Sequence, residues 1–414
     1  MKRTILLLVI LPVFFFSCKK TETDPVDDLI ERKDIQLTRS QLDFVKSNNK
    51  FALEFFKKVS DEEGGGSMLV SPLSVTYALG MVDNGAKGNT QKEINEVLGY
   101  KGNGIDDLNS FCKTMLEQGA AIDPSTIIEI ANMAVINKAF IPLKDDFTKK
   151  VQSNYEANVL YKDFAKEDIK SFINKWCDEK THGMIKSILD DPVSPGEYAH
   201  FLNATYFKGI WSSKFNKADT QKETFTDYDG KQSSVKMMHQ QATFNYGGID
   251  GLCSAVCLPY GNQAYRMILM LPSKGKTLED LKDGLTPESW ERLNNMSGAT
   301  VDVKMPSFES EFGIKSIRDV LEKMGISAAF SGSLADFSGM TNEKVCISDV
   351  LHKAKIKVDE EGSEAAAVTD VTMKATSAGP SGSNKEFHAD RPFLYAITEV
   401  STGAIFFIGQ FTGK

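Results

Sequence analysis

The chain has 414 residues, of which 41% are hydrophobic, 25% charged and 10% aromatic. This is the composition of a soluble globular protein with a large core, and it excludes a disordered chain, a fibre and a repeat solenoid. The formal net charge of −8 gives no overall basic field that could hold a nucleic-acid backbone, so we expect no nucleic-acid partner.

The amino terminus has the pattern of an export signal. Met1-Lys2-Arg3 precedes an apolar run from Ile5 to Phe16 that is too short to span a membrane. The run ends at Ser17-Cys18, which resembles a bacterial lipobox, although the usual Leu is missing three residues before the cysteine. We predict that residues 1–17 are removed and that Cys18 is lipidated, the alternative being ordinary cleavage beside a chance cysteine. Lipidation would attach the exported protein to a bacterial membrane, the outer membrane or cell surface being the expected place.

The next residues predict a tether followed by one large domain. Residues 18–40 are polar and acidic with a single proline, which is typical of a flexible linker. From residue 41 helical and strand-like segments alternate, which predicts a single mixed α/β domain over residues 41–414. Its first helix is predicted over residues 42–59, ending before Gly64.

Further elements follow in chain order. Ser71 caps a second predicted helix with Pro72 in its first turn, which closes at Asn84-Gly85. A third helix is predicted over residues 173–189. Two apolar hairpins are predicted, the first from residues 253–258 and 266–271 and the second from residues 393–397 and 404–411.

No catalytic or metal-binding motif is apparent in the sequence. The five histidines fit no zinc-binding pattern, and there is no phosphate-binding glycine loop. Cys253 and Cys257 would lie ~13 Å apart on a strand, too far for a disulfide or a shared ion, so core packing is their expected role. We therefore expect no enzymatic activity, no cofactor and no metal.

The segment after Lys355 is the most informative part of the chain. By helix propensity, Ser363 and the three alanines that follow Glu364 would open a capped helix. By alternation, the same segment is a strand with one face that is small at first and then increasingly apolar. That face comprises Ser363, Ala365, Ala367, Thr369, Val371 and Met373. Period two over a dozen residues favours a half-buried strand, and the helix stays open as the alternative.

The same segment resembles the reactive-loop hinge of inhibitory serpins. The hinge residues are Glu360, Glu361, Gly362, Ser363, Glu364, Ala365, Ala366, Ala367, Val368 and Thr369. Further matches to the family are spread over residues 41–414. They are Ser71-Pro72-Leu73-Ser74, Gly85-Ala86-Lys87-Gly88-Asn89-Thr90, Asn174-Lys175-Trp176, Thr181-His182-Gly183, Asn203-Ala204-Thr205-Tyr206-Phe207-Lys208-Gly209-Ile210-Trp211, Asp336-Phe337-Ser338-Gly339-Met340, His352-Lys353-Ala354 and Ala389-Asp390-Arg391-Pro392-Phe393. The resemblance implies a serpin fold with three β-sheets, eight or nine helices and an exposed reactive-centre loop.

The resemblance also implies a function. It is that of a monomeric suicide-substrate inhibitor, which captures a serine protease, or a papain-like cysteine protease, in a covalent complex. The implied scissile bond is Thr376-Ser377, which favours an elastase-like target, and the rival is Lys374-Ala375, which favours a trypsin-like one. The alternative function is a non-inhibitory serpin-fold lipoprotein that binds or scaffolds. The small residues Ser363, Ala365, Ala366 and Ala367 argue against it, because a proline or a bulky charge in their place would hinder insertion.

By the same resemblance, two groups of residues would control the opening of the central sheet. A polar cluster beneath the sheet, the shutter, comprises Ser71, Ser74, Asn203 and His352. Trp211 would lie at the breach, the top of the sheet where insertion starts. Ser307 stands where many members carry a basic residue, so we do not expect an ion pair between that position and Glu360.

Overall fold

The computed structural model describes residues 31–100, 104–363 and 385–414, apart from the side chains of residues 314 and 315. Nine α-helices and fifteen strands lie within these ranges, which confirms the mixed α/β class. None of the described helices combines the length and apolar character needed to cross a membrane. The predicted signal peptide and Cys18 lie outside the described residues.

The first helix shows that the fold begins before residue 41. The helices are α1 (Arg39–Glu63), α2 (Pro72–Asp83), α3 (Gly88–Leu98), α4 (Gly104–Gly119), α5 (Asp145–Tyr155), α6 (Ile169–Lys180), α7 (Leu278–Gly284), α8 (Pro287–Asn294) and α9 (Arg318–Met324). Thr38 and Gln41 form a capping box at the start of α1, and Gly64 ends the helix with φ +63°. Ile35 is already 5% exposed within the core. The tether predicted to reach residue 40 therefore ends earlier.

The third predicted helix is shorter than the sequence pattern indicated. Helix α6 ends at Lys180, whereas the apolar spacing predicted a helix to residue 189. His182 and Gly183 have φ values of +50° and +83°, which a right-handed helix cannot contain. Ile185 and Leu189 are buried in the same apolar cluster as α6, and this packing produced the misleading spacing.

The strands join into two hydrogen-bonded networks within the described residues. They are β1 (Met68–Val70), β2 (Thr126–Asn137), β3 (Asn158–Lys162), β4 (Ala199–Ile210), β5 (Gln221–Thr226), β6 (Gln232–Ile249), β7 (Cys253–Tyr260), β8 (Tyr265–Pro272), β9 (Ser297–Pro306), β10 (Phe308–Ser316), β11 (Leu351–Val358), β12 (Gly362–Ser363), β13 (Lys385–His388), β14 (Phe393–Glu399) and β15 (Ile405–Phe411). One sheet has the order β1-β15-β14-β8-β7-β6-β9-β13, with β5 paired to β6, and the other has the order β10-β11-β12-β4-β2-β3. The resemblance implied three sheets. The 18-residue β6 pairs with β5, β7 and β9, and so links strands that would otherwise form separate sheets.

Both predicted hairpins are confirmed, as β7 with β8 and β14 with β15. Cys253 and Cys257 are buried, unbridged residues of β7, in agreement with their predicted packing role. The second predicted helix is also confirmed as α2, which packs against β4 of one sheet and β15 of the other. This central position of α2 places its cap, Ser71, beneath the six-stranded sheet.

Candidate functional site

The predicted hinge enters the six-stranded sheet as the two-residue strand β12. Gly362 lies opposite Ile210 of β4, and Ser363 lies opposite both Gly209 of β4 and Val358 of β11. Gly362 and Ser363 are therefore in a strand, whereas the choice between strand and helix for the rest of the ambiguous segment falls on residues outside those described. The remaining hinge residues, Glu364 to Thr369, and both candidate scissile bonds, Thr376-Ser377 and Lys374-Ala375, lie outside the described residues.

Two glycines allow β12 to approach β4. A Cβ atom on Gly362 would lie 2.0 Å from the carbonyl oxygen of Gly209. A Cβ atom on Gly209 would in turn lie 2.8 Å from Cδ1 of Tyr260. A side chain at position 362 would push β12 away from β4, whereas one at position 209 would displace the Tyr260 ring, so close packing favours glycine at both positions.

Ser363 is held by a buried tyrosine of the other sheet. Its side chain is fully buried, and its Oγ lies 2.5 Å from Oη of Tyr260 in β7. The Tyr260 ring stacks on Trp211 with centroids 4.4 Å apart. Burial raises the pKa of the Tyr260 phenol, so the hydroxyl stays protonated and available for this hydrogen bond. Ser363 thus faces the core between the two sheets.

Trp211 holds the turn that precedes β12. Its indole Nε1 donates to the carbonyl of Asp359 over 2.9 Å, and its backbone N–H donates to the carbonyl of Glu361 over 2.9 Å. The backbone N–H of Phe215 donates to the carbonyl of Glu360 over 3.0 Å. The structure therefore brings Trp211 beside the hinge.

Two lysines that the sequence analysis did not single out also contact the hinge. Lys214 Nζ lies 2.8 Å and Lys217 Nζ 2.9 Å from the two carboxylate oxygens of Glu361. Hydrogen bonds from these lysines lower the pKa of Glu361 below its usual value. Ser307 lies between β9 and β10, and its backbone N–H donates to the carbonyl of Lys236 in β6. No sequence motif marks Lys214 and Lys217. They lie in the connection that follows β4, and only the fold brings that connection to the hinge.

Below β12 a cavity of about 700 Å³ lies between β4 and β11. No other strand separates β4 from β11 within the described ranges. The cavity is lined by all four predicted shutter residues, Ser71, Ser74, Asn203 and His352. A strand that continued from Ser363 would enter this space.

Three of the shutter residues form a connected group at the start of α2. The backbone N–H of Ser71 donates to Nε2 of His352 over 3.1 Å, and the N–H of Ser74 donates to Oγ of Ser71 over 3.3 Å. Ser71 Oγ donates to the carbonyl of Phe406 in β15 over 2.9 Å. Burial lowers the pKa of His352 to about 4, so the imidazole is neutral and Nε2 can accept.

Asn203 lies on the β4 wall of the cavity and has other partners. Its Nδ2 donates to Oδ1 of Asn132 over 2.9 Å, and its Oδ1 accepts from Thr205 over 2.8 Å. His352 lies on β11, at the other side of the cavity. The predicted cluster is therefore divided between the two strands that would have to flank an added strand.

The chemistry that this arrangement offers is backbone hydrogen bonding. β12 already occupies the upper end of the space between β4 and β11, so a strand continuing from it would pair with both neighbours. Within the described part of the chain, no group of three or more His, Cys, Asp or Glu side chains could hold a metal ion.

Comparison with known proteins identifies the family. A family model described as Serpin (serine protease inhibitor) matches residues 46–413. The chain belongs to the serpin family. Among curated serpins, the human leukocyte elastase inhibitor is 31% identical over 380 residues, which cover 88% of this chain and 98% of that protein.

Solved serpin structures share this fold. The crystal structure of the thermophilic serpin tengpin in its native state has a TM-score of 0.81 at 28% identity, covering 92% of this chain and 96% of that one. Thyroxine-binding globulin in complex with thyroxine has a TM-score of 0.79 at 25% identity, covering 89% and 99% of the two chains. Family membership supports a protease-inhibitor function in general, whereas thyroxine-binding globulin is named for binding thyroxine. The geometry of the site has to decide whether an inhibitory or a non-inhibitory function fits this chain better.

Proposed function

We propose that this serpin is an irreversible suicide-substrate inhibitor of serine proteases, which traps the acyl-enzyme by inserting its cleaved loop between β4 and β11. The observation that carries the proposal is the position of β12. Gly362 and Ser363 already form a strand between β4 and β11, and the cavity below them continues in the same direction.

The register of β12 fixes the register of the strand that would follow. The pairs of Gly362 with Ile210 and Ser363 with Gly209, continued along β4, place Thr369 opposite Asn203. The pair of Val358 with Ser363, continued along β11, places Thr369 opposite His352. The inserted strand would therefore bring a hydroxyl between the two halves of the shutter.

The two faces of the inserted strand fit their surroundings. Because Ser363 faces Tyr260, the residues two, four, six, eight and ten positions later would also face the core. They are Ala365, Ala367, Thr369, Val371 and Met373. On the opposite face Glu364 would lie between Lys208 of β4 and Lys357 of β11. The same register therefore buries the apolar residues and places the glutamate beside two lysines.

The energy of insertion is large enough to move a protease. About ten further residues would gain ladder hydrogen bonds at roughly 1 kcal/mol net each, on the order of 10 kcal/mol or more in total. This is comparable with the stability of a whole domain. A covalently attached protease would be carried along, and distortion of its catalytic triad would prevent deacylation.

Loop cleavage would supply the covalent link. The protease serine oxygen would attack the carbonyl carbon of Thr376, the bond to the nitrogen of Ser377 would break, and the amine would leave with a proton. The ester to Thr376 would remain on the strand that inserts. The small Thr376 side chain favours an elastase-like target, whereas cleavage after Lys374 would favour a trypsin-like one. A papain-like cysteine protease would form the corresponding thioester.

The decisive experiment is a search for a covalent adduct. The serpin is mixed with pancreatic elastase or trypsin and run on a denaturing gel, and the released fragment is sequenced by mass spectrometry. We expect an adduct with elastase and a new amino terminus at Ser377; a new terminus at Ala375 would establish the rival bond. Cleavage by every protease with neither an adduct nor a rise in unfolding temperature would support the non-inhibitory alternative.

We further propose that residues 1–17 direct export and that Cys18 anchors this monomeric inhibitor to a bacterial membrane by its lipid. The apolar run before Cys18 supports the proposal. The test is incorporation of labelled fatty acid in a bacterial host. We expect labelling of the wild type and none of Cys18→Ser; an unlabelled wild type would indicate ordinary cleavage.

A further inference from the structure

Asp83 is a fully buried carboxyl group at the last position of α2. The carbonyl groups in the last turn of a helix carry a partial negative charge, which disfavours a negative side chain beside them. Burial disfavours ionisation as well, because water no longer solvates the carboxylate. The two effects act in the same direction, so this position favours a protonated carboxyl.

The hydrogen bonds to Asp83 satisfy one of its two oxygens. Tyr100, which follows α3, donates its hydroxyl to Oδ2 over 2.5 Å. Asn95 of α3, with its amide nitrogen facing Asp83, donates to the same oxygen over 3.0 Å and to the carbonyl of Gln91 over 2.9 Å. The buried Oδ1 has no hydrogen-bond partner among the described residues. A carboxylate with an unpaired buried oxygen is costly, whereas a neutral carboxylic acid has no charge to be solvated.

The neighbouring elements bring no buried cation to Asp83. The titratable side chains that interact with it are Tyr100, Tyr155 of α5 and Lys87 in the turn after α2. Cys112 of α4 interacts with both phenols, and α1 faces Tyr100 with the apolar ring of Phe44. Burial raises the pKa of both tyrosines and of Cys112, so these groups are uncharged. Lys87 is exposed, and solvent weakens its attraction.

We propose that Asp83 is a proton-controlled lock, which holds α3 and Tyr100 against the end of α2 when it is protonated and releases them more readily as the proton is lost. Asp83 is a positioning residue in this proposal, and residues 84–100 form the corner that it holds. Burial raises the pKa of Asp83 to about 7, against the hydrogen bond from Tyr100 and the charge of Lys87.

The sign of the pH effect follows from the two states of the corner. In the open state Asp83 is in water and loses its proton at an ordinary pKa of about 3.9. The closed state keeps the proton until the pH reaches about 7. The corner therefore opens more easily as the pH rises from about 4 to about 7, and above that range both states are ionised and the effect levels off.

The corner also supports one wall of the cavity between β4 and β11, and in this respect the lock rests on the proposed function. The backbone N–H of Gly339 donates to the carbonyl of Gly85 over 3.0 Å. Phe337 and Met340, on either side of this contact, line the cavity. An open corner would leave this wall without support, so insertion would slow and more acyl-enzyme would deacylate before it is trapped.

Hydrogen exchange of the corner tests the lock without any protease. The backbone N–H of Tyr100, which donates to the carbonyl of Asn95 over 3.0 Å, reports whether the end of α3 is closed. Protection of residues 87–100 in the full chain is measured from about pH 5.5 to about pH 9, relative to the intrinsic exchange rate. We expect protection to fall about tenfold between pH 5.5 and pH 7 and to level off by about pH 8.

Three variants complete the exchange test. Asp83→Asn keeps the shape without the charge, so its protection should be the same at pH 5.5 and pH 8. Tyr100→Phe removes a hydrogen bond that favours the carboxylate, so its protection should level off at a higher pH than in the wild type. Glu96→Gln is the matched control, because Glu96 is an exposed carboxylate of α3 that pairs with Lys92, and it should keep the wild-type pH dependence. Unchanged protection of β14 and β15 would show that each variant is folded.

The carboxyl carbons report the proton directly. In wild-type protein labelled with ¹³C-aspartate, one carboxyl signal should titrate near pH 7, and that signal should be absent from Asp83→Asn. The proposal is overturned if every aspartate titrates below pH 5, if wild-type protection is equal at pH 5.5 and pH 7, or if Asp83→Asn keeps the pH dependence.

A further measurement links the lock to inhibition. At pH 8, Asp83→Asn should consume fewer inhibitor molecules per protease than the wild type, and Glu96→Gln should match the wild type. Equal consumption by all three would overturn the link between the corner and the cavity. If the wild type forms no adduct with any protease, the proposed function fails, and the exchange result still decides whether the lock exists.

Discussion

The segment 364–384 is attached to the described structure at two ends that differ in physical character. Upstream, β12 lies between two strands, Ser363 is fully buried, and its partner Tyr260 is an uncharged hydroxyl. Downstream, β13 lies at a sheet edge, and the side chains of His388 and Asp302 that hold it are 34% and 29% exposed. The upstream end should therefore respond to changes in side-chain size and the downstream end to changes in charge.

The largest expected effect comes from a bulky charge at the upstream end. In Ser363→Arg, the guanidinium would have to enter a fully buried site beside Tyr260, at a cost of several kcal/mol. We expect the variant to be cleaved normally and to form about a hundredfold less covalent adduct, measured on a denaturing gel. Ser363→Thr is the matched control and should retain the adduct. His388→Gln should also retain it, and an adduct in Ser363→Arg at the wild-type level would contradict the comparison.

Acid should weaken the floor of the upstream site, where His352 is buried. Burial lowers the pKa of His352 to about 4, whereas an unfolded histidine titrates near 6.5. The unfolded chain binds the proton first as pH falls. His352 therefore contributes its full stability above pH 6.5 and loses it between pH 6.5 and about 4, by about 3 kcal/mol in the free energy of unfolding.

The measurement is urea unfolding of wild type and His352→Gln across this range. The difference between the two is used because Asp83, at the other end of α2, titrates in the opposite direction: burial raises its pKa to about 7, so Asp83 favours the folded state as pH falls. We expect the advantage of the wild type to shrink with acid. His182→Gln is the control. An advantage that is constant from pH 7 to pH 4 would show that His352 is not neutral in the fold.

Elements defined by local signals were predictable from the sequence. The cap at Ser71 and the alternation in the hairpins of β7–β8 and β14–β15 lie within a few residues of the structure that they specify. The hinge was recognisable because small residues predominate in it, with Gly362 and Ser363 before Glu364 and three alanines after it. In contrast, the end of α6 depends on the left-handed residues His182 and Gly183, and the apolar spacing that continues to Leu189 outweighed the signal of that glycine.

Contacts that depend on the assembled fold could not be predicted. Asp302 is 63 residues from His239 and 86 residues from His388, and each histidine alone is an ordinary residue of a half-exposed strand. Lys214 and Lys217 belong to a connection with no motif, and they contact Glu361 only because β4 ends beside the hinge. Sequence patterns indicate local structure, whereas these charge contacts depend on which strands become neighbours in the folded protein.

A smaller effect is expected when the upstream site loses one hydrogen bond and keeps its shape. Tyr260→Phe removes the hydroxyl that lies 2.5 Å from Ser363 Oγ, which leaves a buried serine hydroxyl without this partner. The cost is about 1 kcal/mol, so we expect the number of inhibitor molecules consumed per protease to rise severalfold. Tyr265→Phe is the matched control, since Tyr265 Oη donates to Gly119 away from the hinge. If both variants consumed the same number of inhibitor molecules per protease, Tyr260 would have no specific role in the proposed mechanism.

The smallest effect should come from the charged contacts of Glu361 at the upstream end. Glu361→Gln loses ion pairs to Lys214 and Lys217, whose side chains are 26% and 69% exposed, so solvent already weakens them. We expect this loss to weaken the attachment of the hinge by about 0.5 kcal/mol, seen as a slight rise in the number of inhibitor molecules consumed per protease at low salt. Wild type in high salt should match the variant, because salt screens exposed pairs. Glu309→Gln, which removes the partner of Lys355 on the outer strand β10, should have no such effect. If high salt raised the number of wild-type inhibitor molecules consumed per protease far more than Glu361→Gln does, charge would govern the upstream end as well. The contrast between the two ends would then be wrong.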